Sequence, residues 1–337
     1  MNSYERVMNR LNGKPVDRVP NFDIIMGLGA HYIGATLSQY LLDYHYMVKS
    51  NLAMANDFDI DILQTLTDPF RESADFGLEV EFPDDGLPKR LRPLIAPGDD
   101  LKKVPMIQPT SGRRMNDRIE AVRMLHEQSN KVVPVMGWVE GAMAEANDLL
   151  SDGIMMTTFY DAPEWLSALL ERITEVEIAF AQVQIDAGAD IIGLGDAVAS
   201  IVSPGMYRKY ALPYEKRIFA AIHEKGALAR LHICGNTAKI LPDMLTSGAD
   251  FIDIDWMVDY EKAAQTFGDR ACPVGNFDPV SVMYRGTQQV IEEAAEHCLQ
   301  VGGAKSISAA GCEIPDGTPV ENLRIHARFL RNAGSPG

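Results

Sequence analysis

The tripeptide His232-Ile233-Cys234 joins an imidazole and a thiol two positions apart inside an apolar run. On a strand, side chains two apart point to the same face, so both can grip one ion. Cys312 follows 78 residues later in Ala310-Gly311-Cys312-Glu313. A His-Cys-Cys set fills three of the four positions of tetrahedral zinc and leaves one open for a substrate, as catalytic sites require. Taken alone, an HxC pair is commonly incidental and buried cysteines are commonly small hydrophobes. Cys272, inside an apolar strand, and Cys298, in a helix, read as such packing residues.

Other chemical groups stand at the expected carboxyl ends of strands: His31, Asp68, Gly137, Asp196, Asp253, Asp255, Asn276 and Asp278. Asp253 and Asp255 share a face, and either can reach a metal or a substrate. Asp57, Asp59 and Asp61 alternate at the start of a strand and read as a solvated edge. His223, His297 and His326 fall in helical sequence and read as surface or packing residues. Tyr207, Tyr210 and Tyr214 have the spacing of a buried helical stripe.

The elements that must position these groups are apolar runs of strand length separated by amphipathic sequence. Expected strands cover residues 19–25, 59–65, 132–136, 190–194, 229–233, 250–254, 271–274 and 304–309. Helices are expected near 206–225 (after Ser203-Pro204), 237–245, 260–267, 287–301 and 319–330. Eight buried strands alternating with helices favour a closed α/β (β/α)8 TIM barrel over an open sheet, with its chemistry at the carboxyl ends of the strands. The best match to a dinucleotide turn, at residues 193–198, lacks the third glycine. Residues 78–94 alternate around Asp84-Asp85-Gly86 and predict a β-hairpin insertion; residues 1–18 predict an N-terminal helical extension across the bottom of the barrel. Residues 1–337 thus read as one barrel domain, frayed at 332–337.

Composition sets bounds on the partners. A net charge of −16 disfavours nucleic acid, which needs basic patches. The charge-free stretch 24–42 contains His31, Gln39 and three glycines, a poor membrane span. The charged N-terminus has no apolar signal region, and four cysteines are too few for a disulfide scaffold. A cytoplasmic protein is expected.

Nearly the whole chain resembles the uroporphyrinogen decarboxylase superfamily. The resemblance rests on residues 14–20 (KPVDRVP), Ser203-Pro204 through Pro213-Tyr214, Asp255-Trp256 and residues 275–279 (GNFDP). The His232/Cys234 pair with residues 311–322 (GCEIPDGTPVEN) resembles the corrinoid-dependent methyltransferase branch. That resemblance implies methyl transfer from a methylated corrinoid, carried by a partner corrinoid protein, to coenzyme M or to an acceptor such as tetrahydrofolate. It implies Zn2+ on His232, Cys234 and Cys312, with Asp255 (or Asp253) as a fourth, exchangeable ligand. Asp68 matches an aspartate that faces the pyrroles in the decarboxylases. His31, Asn276 and Asp278 are expected to bind the acceptor, with Asp196 joining them in proton delivery if the acceptor is a folate. The alternative is a decarboxylase, but the stretch 26–42, where those enzymes carry substrate-binding arginines, contains none. The chain shows no separate cobalamin-binding motif.

Overall fold

The expected alternation is realised as a parallel sheet wrapped by helices. The computed structural model describes residues 1–334. Its strands are β1 (Leu63–Gln64), β2 (Val80–Glu81), β3 (Lys89–Arg90), β4 (Val135–Glu140), β5 (Ile191–Gly195), β6 (Leu228–His232), β7 (Phe251–Ile254), β8 (Cys272–Phe277) and β9 (Ile307–Ala310). Seven of them form one sheet in the order β1-β4-β5-β6-β7-β8-β9, parallel at every pairing. Each crossover carries helical sequence, as parallel neighbours require.

The first expected strand, residues 19–25, is extended chain rather than a regular strand, yet it holds the eighth position. On one side Phe22 N donates to Ser308 O and Ser308 N to Pro20 O; on the other, Asp61 N donates to Asn21 O. This segment therefore closes the curled sheet between β9 and β1. Its irregularity follows from side chains replacing ladder bonds: Gln64 Nε2 donates to Asp23 O, and Ala310 N to Asp23 Oδ1.

Two boundaries differ from expectation for local reasons. β4 begins at Val135 rather than 132, because Asn130 and Lys131 adopt left-handed conformations (φ 46° and 59°) and turn the chain first. It runs on through Gly137 to Glu140. That glycine answers to packing, since a Cβ there would lie 2.6 Å from Gln184 Oε1. The expected helix 206–225 is two helices, Pro204–Tyr210 and Leu212–Glu224, because Pro213 cannot donate across the junction. The tyrosine stripe is buried as expected.

At the bottom, the helix Ser3–Leu11 lies across the barrel, with Tyr4 N donating to Val132 O and Arg10 Nε to Ser306 O. Asp61, expected on a solvated edge, is fully buried instead, because Arg6, Arg18, Ser3 and the Asn21 amide all donate to it. The hairpin β2–β3 forms, and its tip folds against the first turn of the helix Leu37–Leu42. There Ser38 N donates to Asp84 O and Leu37 N to Asp85 Oδ1. The helix Val320–Ala333 includes 332 and 333, which were expected to fray; residues 335–337 lie outside the described residues. Among the described residues no helix is long and apolar enough to cross a membrane.

Candidate metal centre

β6 delivers the first two groups. Arg230 and His232 alternate on the strand, and Cys234 stands just beyond it, before Gly235 turns the chain at φ +90°. The third group arrives on the loop after β9, where Gly311 and Cys312 pass over the backbone of Asp255-Trp256. A Cβ on Gly311 would sit 2.3 Å from Trp256 N, so only glycine lets the two loops approach.

The three donor atoms converge. His232 Nε2 lies 2.9 Å from Cys234 Sγ and 4.0 Å from Cys312 Sγ, and the two sulfurs are 3.5 Å apart. Tetrahedral zinc with ordinary bond lengths would separate two sulfurs by about 3.8 Å and nitrogen from sulfur by about 3.6 Å. The two sulfurs and the Cys312–imidazole pair lie within about 0.4 Å of these spacings. His232 Nε2 and Cys234 Sγ stand closer than an ion between them would hold them. The soft donors suit zinc. Among the described residues this is the group of His, Cys, Asp and Glu side chains compact enough to hold a metal ion. Accepting from Cys234, then from His232, pushes Cys312 down to about 4, while the same bond and burial push Cys234 up.

Behind the imidazole stands Asp253. It accepts from His232 Nδ1 at 2.6 Å and from Arg230 Nε at 2.8 Å. A carboxylate on Nδ1 fixes the tautomer that leaves the Nε2 lone pair for the metal. Burial opposes ionisation of Asp253, but the Arg230 charge and the His232 bond outweigh it and hold the carboxyl below its usual range. Burial would likewise lower His232, yet the charge of Cys234 and the Asp253 bond raise it. Trp138 packs edge-on against the imidazole at 6.1 Å and donates its indole N–H to Glu140. Glu140 ends β4 within a buried group that includes Arg71 and Glu72, and burial pushes it well above the usual carboxylate range.

Asp255, expected as the exchangeable fourth ligand, is engaged elsewhere in this structure. Its Oδ2 accepts from Gly235 N at 2.9 Å and its Oδ1 from Met257 N at 3.0 Å. It ties the loop of Cys234 to the end of β7. Asn276, expected to bind the acceptor, supports this tie by donating to the carbonyls of Asp255 and Val258. Asp278 caps the turn Pro279–Tyr284, accepting from Val280 N and Ser281 Oγ. Asn276 and Asp278 border a separate cleft beside His297 and Cys298.

The mouth beside the Cys312 loop holds a cavity of about 540 Å3 with apolar walls from Met26, Leu37, Leu41, Phe70 and Leu87. His31 and Asp68 both line it. His31 bridges Asp85 of the hairpin tip and Asp316 of the C-terminal loop, each at 2.8 Å. Asp68 accepts from Arg114 Nη2 at 2.6 Å, so its charge is already matched. Glu313, next to Cys312, lines the same cavity and is pushed up to about 7 by burial. Asp196 stands apart from it. Fully buried at the end of β5, it packs against Gly141, and burial pushes it up to about 7.

Sequence reasoning missed Arg230, Arg114 and Glu140. Strand alternation points to Arg230, two residues before His232. Arg114 has no such signal, since it reaches Asp68 from a helix 46 residues away. Glu140 was hidden by ending β4 four residues early. Cys272 and Cys298 are buried free thiols, as expected.

Comparison with known proteins identifies the family of the chain. The model of the uroporphyrinogen decarboxylase (URO-D) family matches residues 2–332. The methylcobamide:CoM methyltransferase MtbA of Methanosarcina mazei is 30% identical over 334 residues, covering 97% of both chains. The methylcobamide:CoM methyltransferase MtaA of Methanosarcina barkeri is 28% identical, covering 95% of this chain and 94% of its own. A solved methyltransferase structure from Methanosarcina mazei superposes with a TM-score of 0.90 at 25% identity, over 99% of both chains. The barrel, the loops that close it and relatives matched end to end give one answer: the chain belongs to the uroporphyrinogen decarboxylase family, beside its corrinoid-linked methyltransferases.

Proposed function

We propose that this protein transfers a methyl group from a methylated corrinoid, presented by a corrinoid protein, to a thiol acceptor at a zinc site formed by His232, Cys234 and Cys312. The observation that carries the reading is the convergence of these side chains from strand ends 78 residues apart, with Asp253 bonded behind the imidazole. Zinc held by two thiolates and an imidazole would coordinate the acceptor thiol and favour its thiolate near neutral pH. The protein's own groups do the positioning. Asp253 keeps Nδ1 protonated, Arg230 keeps Asp253 ionised, and Asp255 pins the Cys234 loop. In the overall reaction the thiol proton passes to solvent and an S–CH3 bond replaces the cobalt–CH3 bond. The bonding pair stays on the corrinoid, which is reduced by two electrons.

The resemblance implies two acceptor classes, a thiol such as coenzyme M and tetrahydrofolate. The assembled triad supports the thiol, because metal coordination activates thiols directly, whereas the folate N5 is not easily activated that way. Of Asp196, Asn276 and Asp278, the groups expected to serve a pterin, Asn276 and Asp278 are occupied in holding their own loops. The decarboxylase alternative gains nothing from the cavity, whose Asp68 is already paired with Arg114 and whose lining contains no Lys or Arg.

Metal analysis and a methylcobalamin demethylation assay test the proposal together. The wild type should carry one zinc per chain and demethylate methylcobalamin only when a thiol is supplied. Cys234→Ser and Cys312→Ser should lose both properties while keeping the barrel's circular dichroism. A wild type that binds no zinc, or one that demethylates at an equal rate without any thiol, would sink it.

A further inference from the structure

Cys234 and Cys312 have a chemistry of their own besides holding an ion. Their sulfurs are 3.5 Å apart, in van der Waals contact, although 78 residues separate them. Asp255 fixes both loops from one place. Its Oδ2 accepts from Gly235 N, beside Cys234. Gly311, beside Cys312, lies so close over its backbone that a Cβ there would be 2.9 Å from the Asp255 carbonyl carbon. Two groups held together in this way react as one unit, because the fold has already met the entropy of bringing them together. Both side chains are half-buried, within reach of a small oxidant. The other two thiols are shut away: Cys272 donates to the Lys305 carbonyl and Cys298 accepts from Asn276 N, and both are buried. Cysteines that sense oxidants are accessible and stand beside a second thiol that resolves the first product. Of the four cysteines, Cys234 and Cys312 meet both conditions.

We propose that Cys234 and Cys312 form a peroxide-sensitive pair that closes to a reversible disulfide and takes the metal site apart. One sulfur attacks hydrogen peroxide, the O–O bond breaks, and a sulfenic acid forms as hydroxide leaves. The other sulfur attacks the sulfenic sulfur, the S–S bond forms, and the sulfenic oxygen leaves as water. Starting from two thiols, the sum is one disulfide and two waters, and the sulfurs lose the two electrons that the peroxide gains. Starting from zinc-bound thiolates, the two protons come from solvent and the ion departs, because His232 alone of the three donors remains. An added dithiol reverses the step by thiol–disulfide exchange. The disulfide needs only the two sulfurs, while its effect on methyl transfer rests on the zinc-site reading above. There it has a use. Methyl transfer leaves the corrinoid reduced by two electrons, and peroxide oxidises that product too. A site that shuts under peroxide stops the reaction when its product would be lost.

The test treats the full-length protein, metal-free and zinc-loaded, with hydrogen peroxide, then maps its peptides by mass spectrometry without reduction. Free thiols should fall from four to two, and one cross-linked peptide should join Cys234 to Cys312 within a single chain. The zinc-loaded protein should release one zinc per disulfide to a chromophoric chelator, and dithiothreitol should restore both the thiols and zinc binding. Cys272→Ser and Cys298→Ser should form the same cross-link. Cys234→Ser should form none, and its Cys312 should be trapped as a sulfenic acid by dimedone. Separate sulfinic or sulfonic acids on Cys234 and Cys312, or a link from either to Cys272, Cys298 or another chain, would overturn the pair. A disulfide formed with zinc retained would overturn the opening of the metal site. A wild type that binds no zinc yet forms the cross-link supports the pair and overturns the zinc-site reading, so the two failures are told apart.

Discussion

Replacing Asp253 by Asn isolates the role of the carboxylate behind His232 in the proposed zinc site. The amide is isosteric and keeps one acceptor, but Asp253 now accepts from two donors, His232 Nδ1 at 2.6 Å and Arg230 Nε at 2.8 Å. If the amide oxygen stays on Arg230, its NH2 faces His232, and the imidazole must turn its Nδ1 into an acceptor. The proton then sits on Nε2, where the metal should be. Loss of such a supporting carboxylate typically lowers metal affinity by about 10–100-fold, or about 1.4–2.7 kcal/mol. The fold also suffers, because both members of the Arg230–Asp253 pair are almost fully buried. Breaking a buried pair costs about 3–5 kcal/mol when one charge is left alone, and the retained amide bond to Arg230 keeps the loss toward the low end. Zinc affinity measured by competition with a chromophoric chelator, beside a chemical-denaturation curve of the metal-free protein, separates the two effects. A variant that loses stability but binds zinc as tightly as wild type would refute the reasoning and leave Asp253 merely balancing Arg230.

Three further outcomes are expected. Gly311→Ala should push the Cys312 loop away from Trp256 N, lowering zinc content by more than it lowers the melting temperature; an unchanged zinc stoichiometry and affinity would contradict the close approach. Bonds to Asp85 and then Asp316 raise the His31 pKa above 6.5. Its latch is therefore complete below that value and weakens as pH rises through the folded pKa, so protease cleavage near the hairpin tip should increase from pH 6 to pH 9 in the wild type and stay flat in His31→Gln. Burial lifts Asp196 to about 7. The unfolded chain then loses this proton first, near pH 4, so stability should fall between pH 4 and 7, more steeply in the wild type than in Asp196→Asn; equal slopes would refute a protonated Asp196.

The convergence of His232, Cys234 and Cys312 was legible in the sequence because its signal is local. An HxC pair on an apolar run needs only strand alternation to be read, and the Cys312 loop announces itself by its motif. Seven of the eight expected strands appear in the main sheet, since parallel buried strands are continuous apolar runs that composition reveals. What stayed hidden were partnerships across distance. The resemblance marked Asp255 (or Asp253) as a fourth ligand, and only the turn at Gly235 shows the amide that Asp255 meets in this structure. Asn276 and Asp278 stand at a strand end, as catalytic residues would, yet their side chains hold backbone. Asp61 resembled a solvated acid until Arg6 and Arg18 were brought to it by the N-terminal helix and the segment after it. Periodicity ranks faces by hydrophobicity and cannot say which distant arginine will meet which acid.

The closing of the barrel by residues 20–25 has a consequence for how the molecule is made. The bond from Ala310 N to Asp23 spans 287 positions, and the one from His326 to Asp23 spans 303. Contacts of such separation form late, because the loop-closure entropy is met before they return anything. Cys312 lies two residues past β9, the strand that pairs with this segment. Cys312 therefore joins His232 and Cys234 at the step that shuts the seam, and under the proposed zinc reading a chain emerging from the ribosome offers only the first two to a metal until then. Capture of the metal by all three ligands would mark the completed barrel and leave partly folded chains without a working site.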